Sequence, residues 1–330
     1  MLDRAHRCGL AAAARGDEML GTAFPADRIL LVEQPGGWGL SALAGSQFGA
    51  PIAQRLIDTL GQQGVRVLAI RRPGRYPVPA EHPYLRWGFA DCRPGRQGIV
   101  WGTYRAAEEL LELDPVALAE QAVDTLDTRP VYAVCAHGIR DMCCAIEGRP
   151  IATALARECP GRAWECSHVG GDRFAANVLV LPTGQLYGRI TDPVELASAT
   201  EAGQVLPDRL RGQIGLPPAA QAAVVHAQRE LRLAAAGAVR VLQVHGSPPD
   251  VQLVRLAVPE GSCTVAVQRM TGPPEILTCR DTKAKVPLSY RPLWLRADLN
   301  GEPEGDAGGE PASPSAVLPA RRRDAPRSPG

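Results

Sequence analysis

The chain reads as an α/β protein: two successive units that alternate strands with helices, a small α+β appendage and a structureless tail. Three observations point there. Short β-branched and aliphatic runs end in Pro-Gly or Gly-Gly turns, segments of helical period lie between them, and eleven of the last 33 residues are Gly or Pro. With 330 residues and 45% hydrophobic content, the chain can bury more than one core.

The first unit, 1–125, opens with "RILLVE", a β-rich run stopped by Pro35 and two glycines. Ile52, Leu56, Ile57 and Leu60 then recur at helical spacing, and "GVRVLAIRRPGR" supplies a second strand closed by a Pro-Gly turn. "QGIVWGTY" follows as a strand and "AAEELLELD" as a helix. Strand, helix, strand in this order predicts parallel pairing.

The second unit, 126–215, starts with the buried strand "PVYAVCAH". A helix is expected over "CCAIEGRPIATALARE", with Gly148 and Pro150 delaying its start. "RAWECSH" is the next strand, and "FAANVLVLPTGQLYGRI" reads as a hairpin turning at Pro182, Thr183 and Gly184. In "TDPVELASATEAG", Thr191 or Asp192 caps a helix that stops at Gly203. The order β-α-β-β-β-α is that of a thioredoxin-like sheet, and the first unit shares enough of it to be a second copy. The appendage, 216–297, carries a helix over 219–235 and strands near 239–244, 251–258 and 263–267. The tail, 298–330, lacks the apolar content to fold and is expected to be disordered.

Composition excludes several function classes. A net charge of +1 gives no general attraction to nucleic acid or to an anionic membrane. No run of about twenty apolar residues is present, so no membrane span is expected. The opening "MLDRAHRCGLAAAARGDEML" is broken by Asp3, Arg15 and Asp17 and does not read as a signal peptide. Nine cysteines in such a chain read as reduced thiols or ligands rather than a disulfide framework, and a cytoplasmic location is expected.

Two strings carry chemistry. "VCAHGIRDMCCAIEGRP" crowds Cys135, Cys143 and Cys144 around one loop, with His137 and the pair Arg140-Asp141. "ECSHVGGDRF" places His168 and Asp172 on either side of a Gly-Gly turn that lets the backbone approach something bulky. Both strings follow strands of one sheet, so Cys135, Cys144, His168 and Asp172 are candidate ligands at a common edge, with Cys143 as a substitute for Cys144. Asp172 is either a direct ligand or an acceptor behind the ligands. Cys8, Cys92, Cys159, Cys263 and Cys279 read as small buried hydrophobes. His137 is expected to bond a loop carbonyl, Trp38 to be a buried tryptophan beside a tight turn, and Arg71, Arg72 and Arg75 to form a solvated turn.

The pattern C-x-H-x-x-R-D-x-C-C, together with "SHVGGDRFAANVLVLP" and the earlier "GTAFPADRILLVEQPGGWG", resembles the sucrase/ferredoxin-like family over about residues 8 to 215. The resemblance implies a thioredoxin-like ferredoxin domain with a [2Fe-2S] cluster. Its ligands would be Cys135, Cys144 and His168, and Asp172 stands where the family has a second histidine. Such a site would carry one more negative charge than a Cys2His2 site, which Arg140, Arg173 and a helix N-terminus after Cys144 would offset in part.

Three functions compete on this reading. The first is an electron-transfer protein with an unidentified redox partner. The second is a cluster-free thiol redox enzyme using Cys143 or Cys144, although adjacent cysteines replace the Cys-x-x-Cys spacing suited to disulfide exchange. The third is a structural zinc site in an interaction module. The sequence singles out no carboxylate pair for glycoside hydrolysis and no phosphate-binding fingerprint.

Overall fold

The computed structural model describes residues 7–74, 84–121, 125–299 and 318–319. A short helix α1 (Cys8–Arg15) precedes β1 (Arg28–Glu33), α2 (Ala50–Gly61) and β2 (Val65–Arg71). β1 and β2 pair in parallel, as the strand–helix–strand order requires. α2 buries Ala53, Leu56 and Leu60 against that sheet, with Ile52 partly covered; of the stripe read from the sequence, Ile57 instead faces solvent. β3 (Leu85–Asp91) and β4 (Gly98–Tyr104) then add antiparallel to β1, followed by a 3-10 turn (Ala107–Leu111) and α3 (Pro115–Gln121). β3 is absent from the sequence reading because "LRWGFAD" has one clear apolar alternation and a central glycine. Gly88 is required there, since a Cβ would lie 2.6 Å from the Trp101 ring.

The second unit repeats the arrangement. β5 (Val131–Cys135) leads into α4 (Met142–Glu158) and returns as β6 (Ala163–Cys166), parallel to β5. β7 (Val178–Leu181) pairs antiparallel with β5, and β8 (Gln185–Tyr187) with β7, through the turn at 182–184. α5 (Pro193–Glu201) is capped by Asp192, whose carboxylate accepts from the N–H groups of Val194 and Glu195, and β9 (Leu210–Gln213) closes the edge.

The two units form one nine-stranded sheet in the order β4-β3-β1-β2-β6-β5-β7-β8-β9. They meet where β2 and β6 pair antiparallel over a short overlap, Ile70 with Cys166 and Arg71 with Glu165. Reading outward from that seam, each unit has its second strand, first strand, third strand and fourth strand. Both therefore have the thioredoxin-like order, set edge to edge.

α6 (Pro218–Glu230) is buried along almost its whole circumference, as an Ala-rich helix between two layers must be. On its far side lies an antiparallel sheet of β10 (Arg240–His245), β11 (Gln252–Val258), β12 (Gly261–Thr271) and β13 (Leu288–Leu299), with the two-residue β14 (Leu318–Pro319) at its edge. Val254, Leu256, Val265 and Val267 of this sheet share a core with Tyr132, Val178 and Leu196 of the second unit. Apart from Leu318–Pro319, the tail expected to be disordered lies outside the described residues beyond 299. No helix among the described residues is long and apolar enough to cross a membrane.

Candidate metal centre

Cys135 is the last residue of β5, and α4 begins seven residues later, at Met142, directly after the loop. The delayed start expected from Gly148 and Pro150 is therefore corrected. Asp141, wholly buried, caps the helix by accepting from the N–H of Cys143 at 2.8 Å, which stabilises a start that the later Pro150 interrupts only locally. Of the Arg140-Asp141 pair, Arg140 is exposed and Asp141 is buried. Gly148 has a different duty from a helix breaker. A Cβ there would sit 2.1 Å from the Cys135 carbonyl oxygen, so only glycine lets α4 lie directly across the end of β5. Cys144 is thereby held in the first turn of α4, where the helix dipole favours a thiolate.

His168 follows β6 on a loop pinned to the first unit. Ser167 N–H donates to the Ala69 carbonyl at 2.8 Å, Ala69 N–H donates to Ser167 Oγ at 3.1 Å, and Arg66 Nη2 donates to the His168 carbonyl at 3.1 Å. The chain then turns through Gly170 and Gly171, both at positive φ, and delivers Asp172. The turn is shaped by Arg211 of β9, a residue the sequence reading passed over. Fully buried, it donates through Nη1 to the Gly170 carbonyl at 2.9 Å and to Asn177 Oδ1 at 2.7 Å, and through Nε to Thr22 Oγ1 at 3.1 Å. Asn177 Nδ2 in turn donates to the Gly171 carbonyl at 2.9 Å. The only signal in the sequence is an arginine inside an otherwise strand-like "LRGQ".

These elements bring the sulfurs of Cys135 and Cys144 and a ring nitrogen of His168 to within 4.8 Å of one another. Asp172 adjoins them: its Oδ1 is 3.1 Å from Cys144 Sγ and 3.0 Å from His168 Nδ1. The second contact is one of charge proximity, because His168 Nδ1 is buried yet makes no hydrogen bond. A buried imidazole nitrogen without a hydrogen-bond partner, next to two thiols and a carboxylate, is a donor set suited to iron or zinc. Cys143, the adjacent residue of α4, belongs to a different cluster and is not part of this group, and Cys166 pairs across the strands with Cys135 but is not among the converging donors.

The electrostatics of the group follow from the same contacts. The hydrogen bond from Cys144 and the neighbouring His168 outweigh burial and hold the Cys135 thiol down at about 5. Cys144 is pushed up, by the Cys135 contact first and by burial next. Burial would lower His168, but Asp172 and Cys135 overcome it and raise the imidazole to about 9. The result is a thiolate–imidazolium–carboxylate group that a divalent metal would replace by displacing protons. Arg140 acts on Asp172 and Arg211 on Asp172 and both cysteines, so two cations offset the negative charge. Arg173, expected to help, instead meets Asp17 at 3.3 Å and stacks on Phe174.

The neighbouring features are structural. His137 is buried with Nε2 2.8 Å from the Gly39 carbonyl, and its ring meets the buried Trp38 edge-on. Arg71 and Arg72 do not form a solvated turn: Arg71 pairs with Glu165 at 2.7 Å and lies over Trp38, and Arg72 lies over Trp164. Stacking on a tryptophan face stabilises a guanidinium more than open solvent does. Arg75 lies outside the described residues. A cleft of about 280 Å³, lined in part by Leu40, Arg66, His137, Arg140 and His168, opens beside the donor group. His168, 23% exposed, is the donor that solvent reaches, while Cys135 and Cys144 are sealed.

No curated protein and no solved structure matches the chain. A family model described as sucrase/ferredoxin-like matches residues 47–212, just over half of the sequence and the span that contains all four converging side chains. The chain belongs to the sucrase/ferredoxin-like family.

Proposed function

We propose that this protein is an electron carrier that holds a [2Fe-2S] cluster through Cys135, Cys144, His168 and Asp172. The supporting observation is the convergence of two sulfurs, from the end of β5 and the start of α4, with one imidazole 24 residues beyond Cys144, and a carboxylate in contact with both donor types. When bound, such a cluster accepts and returns one electron. Cys135 and Cys144 form the sealed side of the site; His168 forms the side that faces the cleft and gives an electron its shortest way out. Arg66 and Arg140 border that cleft, so an acidic face on the redox partner would be attracted to it. Asp172 in the place of a second imidazole adds a negative charge, which opposes uptake of an electron.

One observation favours a second reading, a single zinc ion. The donor atoms are packed as tightly as ligands around one tetrahedral centre. The thiol-enzyme alternative is weakened because Cys143 and Cys144 are both fully buried, beyond the reach of a protein disulfide. Absorption and EPR spectra of anaerobically purified protein, with iron, sulfide and zinc contents, separate these readings. A red-brown protein with iron and sulfide in equal amounts supports the cluster. A colourless protein with zinc lost on Cys135→Ser replaces it by the zinc reading. In the cluster case, His168→Ala must alter the spectrum.

A further inference from the structure

The adjacent cysteines of the "CC" pair point to different places. Cys144 joins the group described above, whereas Cys143 meets Cys8 of α1 and Cys279 of the segment between β12 and β13. Cys143 Sγ is 3.4 Å from Cys279 Sγ, and Cys279 Sγ is 3.5 Å from Cys8 Sγ. Cys8 Sγ lies 3.6 Å from Asp141 Oδ2, and all four donors fall within 4.8 Å of one another. The expectation that Cys8 and Cys279 are isolated buried hydrophobes does not hold.

We propose that Cys8, Cys143, Cys279 and Asp141 form a tetrahedral site for one divalent cation of the zinc class. Two thiolates about 2.3 Å from a shared tetrahedral centre lie about 3.8 Å apart, close to the spacing seen here. A disulfide needs about 2.05 Å and would leave the third sulfur unpaired. A cubane iron-sulfur cluster spreads its thiolates much wider than this group. The donors are also oriented. Asp141 Oδ1 accepts from Cys143 N–H at 2.8 Å and Oδ2 from Cys279 N–H at 2.6 Å, leaving each oxygen one free lone pair. Arg7, Arg15 and Arg173 lie near these sulfurs and counter the excess negative charge of three thiolates and a carboxylate around a dication.

Such an ion would fasten three distant pieces: the N-terminal helix, the start of α4, and the long excursion between β12 and β13. That excursion already docks on the loop before α4, where Arg280 donates to the Ile139 carbonyl. Because Cys143 and Cys144 are successive residues, the ion would also fix the register of α4 beneath the first centre.

The experiment is metal analysis of the full chain, wild type and the Cys8→Ser, Cys279→Ser and Cys135→Ser variants, together with cobalt substitution. The wild type is expected to retain one zinc in addition to whatever the first centre holds. Cys8→Ser and Cys279→Ser should each weaken that zinc by ~100-fold or more in chelator competition, leave the first centre's metal in place, and speed proteolysis of the 272–287 segment. Cys135→Ser should keep this zinc and still give, with cobalt, thiolate charge-transfer bands and intense tetrahedral d–d bands. If the first centre also binds zinc, the wild type carries two equivalents and each variant loses only its own, so the two sites stay distinguishable. Wild-type protein without this zinc, together with a Cys135→Ser chain showing no cobalt–thiolate bands, would overturn the proposal.

Discussion

The two α/β units share one strand order yet differ wholly in chemistry. In each, a parallel strand–helix–strand pair is flanked by two antiparallel strands, and the units join as β2 against β6. The loop after β5 brings Cys135 and Cys144 together. The corresponding loop after β1 holds no thiol and is closed by its own hydrogen bonds. Trp38 Nε1 donates to the Gln34 carbonyl at 2.9 Å, Gln34 Nε2 to Tyr104 Oη at 2.8 Å, and Ser46 Oγ to Gln34 Oε1 at 3.0 Å. The first unit acts as a buttress. Its Gly39 carbonyl meets His137, its Ala69 holds Ser167, and its Arg66 holds the backbone of His168. A strand order is therefore compatible with either duty, and the loops at the strand ends assign it.

The sharpest break in the comparison comes from cysteine substitutions in each unit. Cys144→Ser is expected to remove essentially all metal from the first centre, measured as iron or zinc per chain. Cys92→Ser, on an equally buried thiol of the first unit, should leave metal content unchanged and cost about 1–3 kcal/mol in urea unfolding, the burial of an added hydroxyl. Loss of metal in the second variant would show that the first unit does more than support.

Next in size is Arg211→Met. It removes the donor to Gly170, Asn177 and Thr22, and unfolding should show about 3 kcal/mol lost, since several buried acceptors are left unpaired. Gly148→Ala follows, at about 1–3 kcal/mol from overpacking against the Cys135 carbonyl, with a shifted spectrum of the bound metal as the diagnostic sign. If a cluster is bound, Asp172→His should raise its potential by an amount on the order of 100 mV. One unit charge at about 4 Å in a partly screened site is worth about 4 kcal/mol before the neighbouring arginines reduce it. Redox titration measures this directly, and an unchanged potential would place Asp172 outside the ligand set.

The smallest effect lies in the first unit. Burial raises the Asp91 carboxyl, but Arg93 at 2.6 Å and Arg28 at 3.6 Å more than compensate, and its pKa falls below the usual value. Its stabilisation is therefore fully present above the unfolded-state value near 4 and is lost as pH falls through the folded value. Asp91→Asn should cost at most about 1 kcal/mol at neutral pH and flatten the fall in stability between about pH 4 and 2, read from urea midpoints.

Several features were legible because they depend on neighbours in the chain. The apolar runs at 29–32 and 131–135, the Asp192 cap and the turn at 182–184 are local patterns, and they appear in the structure as read. The spacing of Cys135 and Cys144 and the Gly-Gly turn before Asp172 were equally visible, and with the family resemblance they singled out the side chains that the fold brings together, Cys135, Cys144 and His168, with Asp172 beside them. Gly148 and Pro150 misled because local propensity disfavours a helix there, while capping by Asp141 and contact with β5 outweigh it. Other features depend on residues far apart in sequence, and only the tertiary structure decided them. Which of Cys143 and Cys144 faces which centre depends on the rotation of α4 over β5. The approach of Cys8 to Cys279 spans 271 positions, and the clamp of Arg211 on Gly170 spans 41. Periodicity reports which face of an element is buried; it carries no information about what another segment brings to that face.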